Sequence, residues 1–350
     1  MPAELPLELW QLIIRSALPT KLSRHGLWAS NTWNEHTEIL RTCCLVSSTW
    51  RAIAQPLLCE QAFVSEVTID DLLDTLVAAP HLRQVVRVLK VFRKADYLSL
   101  AALLESLPSL EELYFTQVGE FDLSFLKLAP NLRKLSGWGN ELSFYHQDDF
   151  SLPNLVEISF CGTTFLPSTS DFFHPSFLPN LRAAAVCYPR ITEGDGTDVA
   201  ASHLLDSFPP SLFVLTTWNP RIGLPVAGTA PHTVYTLREE ALDWSESSLG
   251  TPHRCGSSSI QHLHLHEVPN ALATGVSPHL EDDAALKNLD TLYLALGHGS
   301  DPAGPNYEAY REFGRRKGVE LVFTTEQEFM EESLLDPVLL RRHVRVEEAE

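Results

Sequence analysis

Three histidines, His262, His264 and His266, alternate with Leu263 and Leu265 in the segment IQHLHLHEV. In an extended strand, side chains two positions apart share a face at about 7 Å, near enough for two imidazoles to approach one metal ion. A zinc centre needs further ligands, and only Cys255 and Glu267 lie near in sequence. The segment therefore reads as a solvated, pH-responsive patch, with a metal contact as the alternative. The six cysteines, at 43, 44, 59, 161, 187 and 255, contain no C-x-x-C pair. They read as reduced thiols, which suits the cytoplasm or nucleus.

Catalytic signatures are absent: no G-x-S-x-G elbow, no phosphate-cradling G-x-x-x-x-G-K-[ST], no H-E-x-x-H and no G-x-G-x-x-G occurs. The fragment GHGSD at 297–301 follows an expected strand and precedes a turn from Pro302 to Pro305, so it reads as a loop. The carboxylate pairs Asp148–Asp149 and Asp282–Asp283 are adjacent, so their side chains diverge instead of flanking a substrate. The expectation is a chain that is not an enzyme and holds no metal or cofactor, with a hydrolase as the remaining catalytic alternative.

The formal charge of −19 and a pI near 5.1 argue against nucleic acid and against an anionic membrane, both of which reward basic surfaces. No apolar run approaches the roughly 20 residues of a membrane span, and MPAELPLELW carries acid where a secretion signal carries base. The expected partner is a protein.

The elements that must position these residues are announced by a repeat. From about residue 86 the chain repeats L-x-x-L-x-apolar, often behind Leu-Pro or Ala-Pro, as in LPSLEELYF, LPNLVEISF and LKNLDTLYLAL. The first apolar positions are Val86, Leu110, Leu132, Leu155, Leu181, Leu212, Ile260 and Leu289. Most steps between them lie near the 20–29 residues of a leucine-rich repeat, and the outsized ones mark insertions. One short strand cannot bury its apolar side alone, so neighbouring copies must stack into a parallel sheet closed by helices or turns. Helices are expected behind Ser99, Thr197 and Asn306 as N-caps, the last stopped by Gly318, and GVELVF at 318–323 is a closing strand. An ordinary α/β domain is the alternative. The asparagine that commonly follows the strand of such a repeat is mostly replaced, for example by Val118, Thr163 and Pro189. The Gly-, Pro- and Ser-rich stretch 219–258 reads as a long loop, and the segment after residue 325 as a helical cap with a solvated end.

Ahead of the repeats, LPLELWQLIIRSAL at 5–18 places Pro6 at a helix start and Leu9, Leu12, Ile13 and Ser16 on one face. A second helix is read over 39–50 and a third around Trp50, Ile53 and Ala54, ended by Pro56. Leu5, Pro6, Glu8 and Leu9, then Leu45, Val46, Ser47 and Trp50, then Pro56 and Leu57, resemble the F-box motif. The repeats behind them resemble the leucine-rich substrate domains that follow an F-box, particularly in fungal F-box-like proteins. The resulting fold class is α/β: a three-helix F-box-like module at 1–62, an irregular leucine-rich-repeat solenoid with parallel strands on its concave face at 63–325, and a cap with an acidic tail at 326–350.

The resemblance implies docking onto the Skp-family adaptor of a Skp–cullin–F-box ubiquitin ligase through Leu5, Pro6, Leu9, Leu45, Val46 and Trp50. The segment 19–38 is longer than the usual link between the first two helices, and its Trp28 and Trp33 are placed to cover part of that face. A helical cap on the first repeat is the alternative for the module, as is a scaffold without ligase docking for the whole chain.

Strand alternation sends Leu113 and Phe115 inward and Glu112, Tyr114 and Thr116 outward, and likewise sends Lys134, Ser136 and Trp138 outward. Aromatic side chains on a rigid sheet are good interface residues. Phe92, Tyr114, Trp138, Trp218 and Tyr293, with His262, His264 and His266, are thus the candidate surface for an unidentified protein substrate. Few basic residues appear along this row, so an arginine cluster for phosphorylated motifs is not expected.

Overall fold

The computed structural model describes residues 6–17, 30–65, 68–93, 97–145, 149–166, 169–187, 190–191, 208–209, 211–212, 214–218, 232–236, 262–266, 288–296 and 307–325. Leu5, Trp28, the helix expected after Thr197, the GHGSD loop, Asn306 and the tail from 326 lie outside the described residues. The chain forms two compact units, Met1–Gly119 with Phe125–Trp138, and Glu120–Ser124 with Gly139–Glu350.

The first unit opens with helices α1 (Leu7–Ala17), α2 (Ser30–Val46) and α3 (Ser48–Glu60). Ser47 separates the last two: its backbone is extended and its hydroxyl accepts from the Trp50 amide at 3.1 Å, satisfying one of the donors a helix start leaves unpaired. Pro56 does not end α3 as the sequence suggests; it lies inside the helix, which runs on to Glu60. The turn beyond it is held by Leu57, buried with Ile14, Leu40, Cys43, Ile53 and Ala54 in one apolar cluster. Helix α2 begins at Ser30, so the second half of the expected link is helical and Trp33 belongs to that helix.

Strand β1 (Gln61–Ser65) follows α3 directly, so the boundary expected at residue 62 falls within it. Then come α4 (Ile69–Ala78), β2 (Val88–Phe92), α5 (Tyr97–Glu105), β3 (Glu112–Thr116), β4 (Glu120–Asp122, part of the second unit) and β5 (Lys134–Trp138). Asp70 and Asp71 in the first turn of α4 complement its dipole. Ser99 is no cap; it lies within α5, its hydroxyl 3.3 Å from Asp70 Oδ1. Parallel neighbours cannot be joined by tight hairpins, and α4 and α5 serve as crossovers.

In this unit β1, β2, β3 and β5 pair in that order, parallel and in register. Leu89, Leu113 and Leu135 stand side by side, each at 0% exposure, and Val86, Leu110 and Leu132 are buried beneath them. Each such side chain contributes roughly 1.5–3 kcal/mol relative to exposure, and only once its neighbour is present. The residue before β2, β3 and β5 links back to the preceding repeat: the Arg87 amide donates to the Glu60 carbonyl at 2.9 Å, the Glu111 amide to Arg87 at 2.8 Å and the Arg133 amide to Glu111 at 2.7 Å. The Arg87 side chain also pairs with the Glu111 carboxylate and lies 3.9 Å from that of Glu60.

The residue after β2 and the residue after β3 take a left-handed backbone: φ is +66° at Arg93 and +54° at Gln117. The second unit repeats the device at Gly139 (+63°) and Gly162 (+58°). This turn sends the amide of Gln117 to the Trp138 carbonyl and that of Gly139 to Cys161, each at 2.9 Å. One position on, Val118, Asn140 and Thr163 are buried, so a single asparagine does occupy the expected place.

The second unit continues with β6 (Glu141–Ser143), β7 (Glu157–Cys161), β8 (Thr164–Phe165), α6 (Thr169–Phe172), β9 (Ala183–Cys187), β10 (Arg190–Ile191), β11 (Val214–Trp218), β12 (His232–Thr236), β13 (His262–His266), β14 (Thr291–Leu296), α7 (Glu308–Lys317) and β15 (Glu320–Thr325). Strands β7, β9, β11, β12, β13, β14 and β15 pair in that order, and β10, β8, β6 and β4 form a second parallel sheet. The stretch expected as a loop at 219–258 thus contains β12, which fills a place between β11 and β13. Phe144 packs against Phe150, Phe172 and Phe177 with ring centroids at 5.0, 5.5 and 5.6 Å. Gly318 ends α7 at φ +72°, as its sequence position suggests, while Tyr307 stands at the N-cap without a capping side chain. The architecture is α/β with parallel strands at the leucine phrases, consistent with leucine-rich-repeat stacking.

Candidate functional site

Two surfaces of the first unit collect the candidate residues. On α1, the side chains alternate between roles at helical spacing: Ile14 is buried and Trp10 half-buried, while Leu9, Leu12 and Ile13 are 44%, 65% and 42% exposed. At the C-terminal turn of α2, Leu45 and Val46 are 80% and 59% exposed although Leu40 and Cys43 are core. A module of three short helices has too little interior to enclose all these residues. Pro6 is exposed too. Trp50 differs: its ring lies 5.1 Å from that of Trp10 at 53° and packs against the cluster, so it supports the module from within.

Burial raises the Cys43 thiol pKa, with Cys44 adding, and raises that of Cys59 for the same two reasons. Neither is poised as a nucleophile.

The second surface is the outward face of the sheet formed by β1, β2, β3 and β5. Its rows are fixed by register: Phe63, Lys90, Tyr114 and Ser136 form one, and Ser65, Phe92, Thr116 and Trp138 the next. Phe63 and Phe92 stack at 6.3 Å and 29°, the Arg93 guanidinium lies 5.5 Å from the Phe92 ring centre, and the Lys90 ammonium lies 5.2 Å from that of Tyr114. The Tyr114 hydroxyl donates to Glu112 Oε2 at 2.7 Å. Phe92, Tyr114 and Trp138 are partly accessible, as their alternation requires, but Thr116 and Ser136 are buried at 4% and 5%. Thr116 stands between Phe92 and Trp138, and Ser136 beside Tyr114, so larger neighbours close over these small residues. Phe63 lies outside the sequence reading because β1 precedes the first leucine phrase; the alternation in QAFVS is its signal.

In the second unit, Tyr293 is partly accessible and pairs in register with His264, while Thr291 is buried. Trp218 ends β11, and His262, His264 and His266 occupy alternate places on β13, where His232 of β12 stands in register with His262. No cluster of three or more His, Cys, Asp or Glu among the described residues is arranged to hold a metal. Nor is any helix among them long and apolar enough to cross a membrane.

No family model matches the sequence, and no curated protein matches it. Among solved structures, a TLR13–ssRNA13 complex is similar at 18% identity and a TM-score of 0.32 over 65% of this chain. The chain spans 35% of that protein's length.

Proposed function

We propose that the chain is a substrate-recognition adaptor of a Skp–cullin–F-box type ubiquitin ligase, a protein-interaction protein without catalysis of its own. The three N-terminal helices dock the Skp-family adaptor through Pro6, Leu9, Leu45 and Val46, with Leu5 preceding them and Trp50 buttressing from behind. The outward sheet face, with Phe92, Tyr114 and Trp138, and with Tyr293, Trp218 and the three histidines of β13 in the second unit, receives a protein substrate. The observation that carries the reading is the split within the helical module, whose apolar side chains divide between a closed cluster and a set left in water. Leaving such side chains exposed is costly unless a partner covers them. Free thiols at Cys43, Cys44, Cys59 and Cys161 suit a cytoplasmic or nuclear setting.

The test is capture of the Skp-family adaptor by the intact protein and by its Leu45→Asp/Val46→Asp variant. The variant should fold unchanged and lose capture. Capture that survives the substitutions refutes the docking surface. Failure of the folded intact protein to capture the adaptor leaves the second reading, a leucine-rich-repeat scaffold without ligase docking, which the parallel repeats alone would favour.

A further inference from the structure

The pairing of β7 with β9 brings two cysteines level with each other. Ile158 and Phe160 are buried at 0% on the inner row, as are Ala184 and Val186 opposite them. The register is therefore fixed, since a one-residue slip would turn these apolar side chains outward. The start of the pairing is pinned as well: the Arg182 and Ala183 amides both donate to the Val156 carbonyl at 3.0 Å. At the other end, Cys161 stands in register with Cys187. The Cys161 carbonyl accepts from the Gly139 amide at 2.9 Å and from the Thr163 hydroxyl at 3.2 Å, so its backbone is held from two sides.

Residues in register on neighbouring strands share a face of the sheet, with backbones about 4.7–4.9 Å apart. That spacing falls inside the roughly 4.4–6.8 Å between Cα atoms that a disulfide requires. The face is the outward one: Glu157, Ser159 and Cys161 are half-buried where Ile158 and Phe160 are closed off. Cys161 is a thiol and is partly accessible. Cys43 and Cys44 offer no equivalent pair, because consecutive residues on a helix diverge and Cys43 is buried.

We propose that Cys161 and Cys187 form an oxidant-sensitive dithiol that closes to a disulfide across β7 and β9 when it meets a peroxide. One thiol, as its thiolate, attacks the peroxide O–O bond, leaving a sulfenic acid and one water. The second, likewise as thiolate, attacks that sulfur and forms the S–S bond, and the displaced hydroxide leaves as water with the second thiol's proton. Two thiols thus give up two protons and two electrons, and one hydrogen peroxide becomes two waters. The closed form ties one repeat to the next within the sheet, and it does not depend on ligase docking.

The test uses the intact protein, reduced, freed of reductant and exposed to hydrogen peroxide. Remaining thiols are alkylated, and the chain is digested with trypsin without reduction. Arg182 lies between the two cysteines, so trypsin leaves Cys161 on residues 135–182 and Cys187 on 183–190. Mass spectrometry should find these two peptides linked, lighter than their sum by two hydrogens, in about tenfold or greater excess over any other pairing of either cysteine. The oxidised chain should still run as a monomer on a non-reducing gel, and dithiothreitol should separate the peptides. Without oxidant, phenylarsine oxide, which needs two neighbouring thiols, should protect both cysteines from alkylation in the parent. In Cys161→Ser and Cys187→Ser the cysteine that remains should lose that protection. Oxidation of both to sulfinic acids without a linked peptide overturns the proposal, as does linkage mainly between chains, or arsenical protection that survives either substitution.

Discussion

Replacing Tyr310 by phenylalanine should stabilise the second unit. Tyr310 is 0% exposed and Tyr307 2%, and neither hydroxyl has a hydrogen-bond partner among the described residues. A buried, unsatisfied hydroxyl costs about 1–3 kcal/mol. Deleting one oxygen leaves a void whose penalty is on the order of 0.5 kcal/mol, so the net gain is about 0.5–2.5 kcal/mol.

The same residue predicts an alkaline effect. Burial, with the neighbouring Tyr307 adding, pushes the Tyr310 pKa up to about 12 from 10.0. The folded form therefore holds its proton where the unfolded chain loses it. The contribution is fully present below pH 10 and is lost as pH rises towards 12, by roughly 3 kcal/mol at 1.36 kcal/mol per unit. Urea unfolding followed by circular dichroism should show a higher midpoint for Tyr310→Phe at neutral pH with an unchanged slope, and a shallower decline in alkali. A variant less stable than the parent at neutral pH would mean that the hydroxyl is satisfied after all, and the reasoning would fail.

Phe144→Ala should destabilise the second unit by about 3–5 kcal/mol and Phe144→Leu by about 1–1.5, since three buried rings close around this one; urea unfolding of both variants checks the ratio. Gln117→Gly should raise stability by roughly 0.5–1 kcal/mol, because the left-handed turn strains a residue with a Cβ and the glycine entropy cost returns only part of the gain; a lower unfolding midpoint would contradict this.

The strands were legible because leucine spacing reports a burial pattern that any stacked parallel strand must satisfy. Val86, Leu110, Leu132, Leu155, Leu181, Leu212 and Leu289 are all buried at their expected places. What escaped had weaker local signals. Strand β12 hides in a stretch whose composition suggests only loop, and β4, β6, β8 and β10 span two or three residues each, too short for any periodicity. Pro56 was read by its helix-breaking chemistry, which the packing of Leu57 outweighs. For the candidate site, alternation sends Phe92, Tyr114 and Trp138 outward, and all three are partly accessible. It could not reveal that Thr116 and Ser136 are roofed by their neighbours, since lateral shading depends on register between strands far apart in the chain.

The left-handed turns at Arg93, Gln117, Gly139 and Gly162 have a consequence for how such a chain can vary. All four corners share the backbone angle, those at Arg93, Gln117 and Gly139 add a main-chain bond to the following repeat, and arginine, glutamine and glycine all meet that specification. The corner thus tolerates a side chain at modest cost, and substitutions can accumulate there while the stacked leucines stay in step. A protein assembled this way can keep its scaffold and still drift beyond the reach of any signature written in side chains.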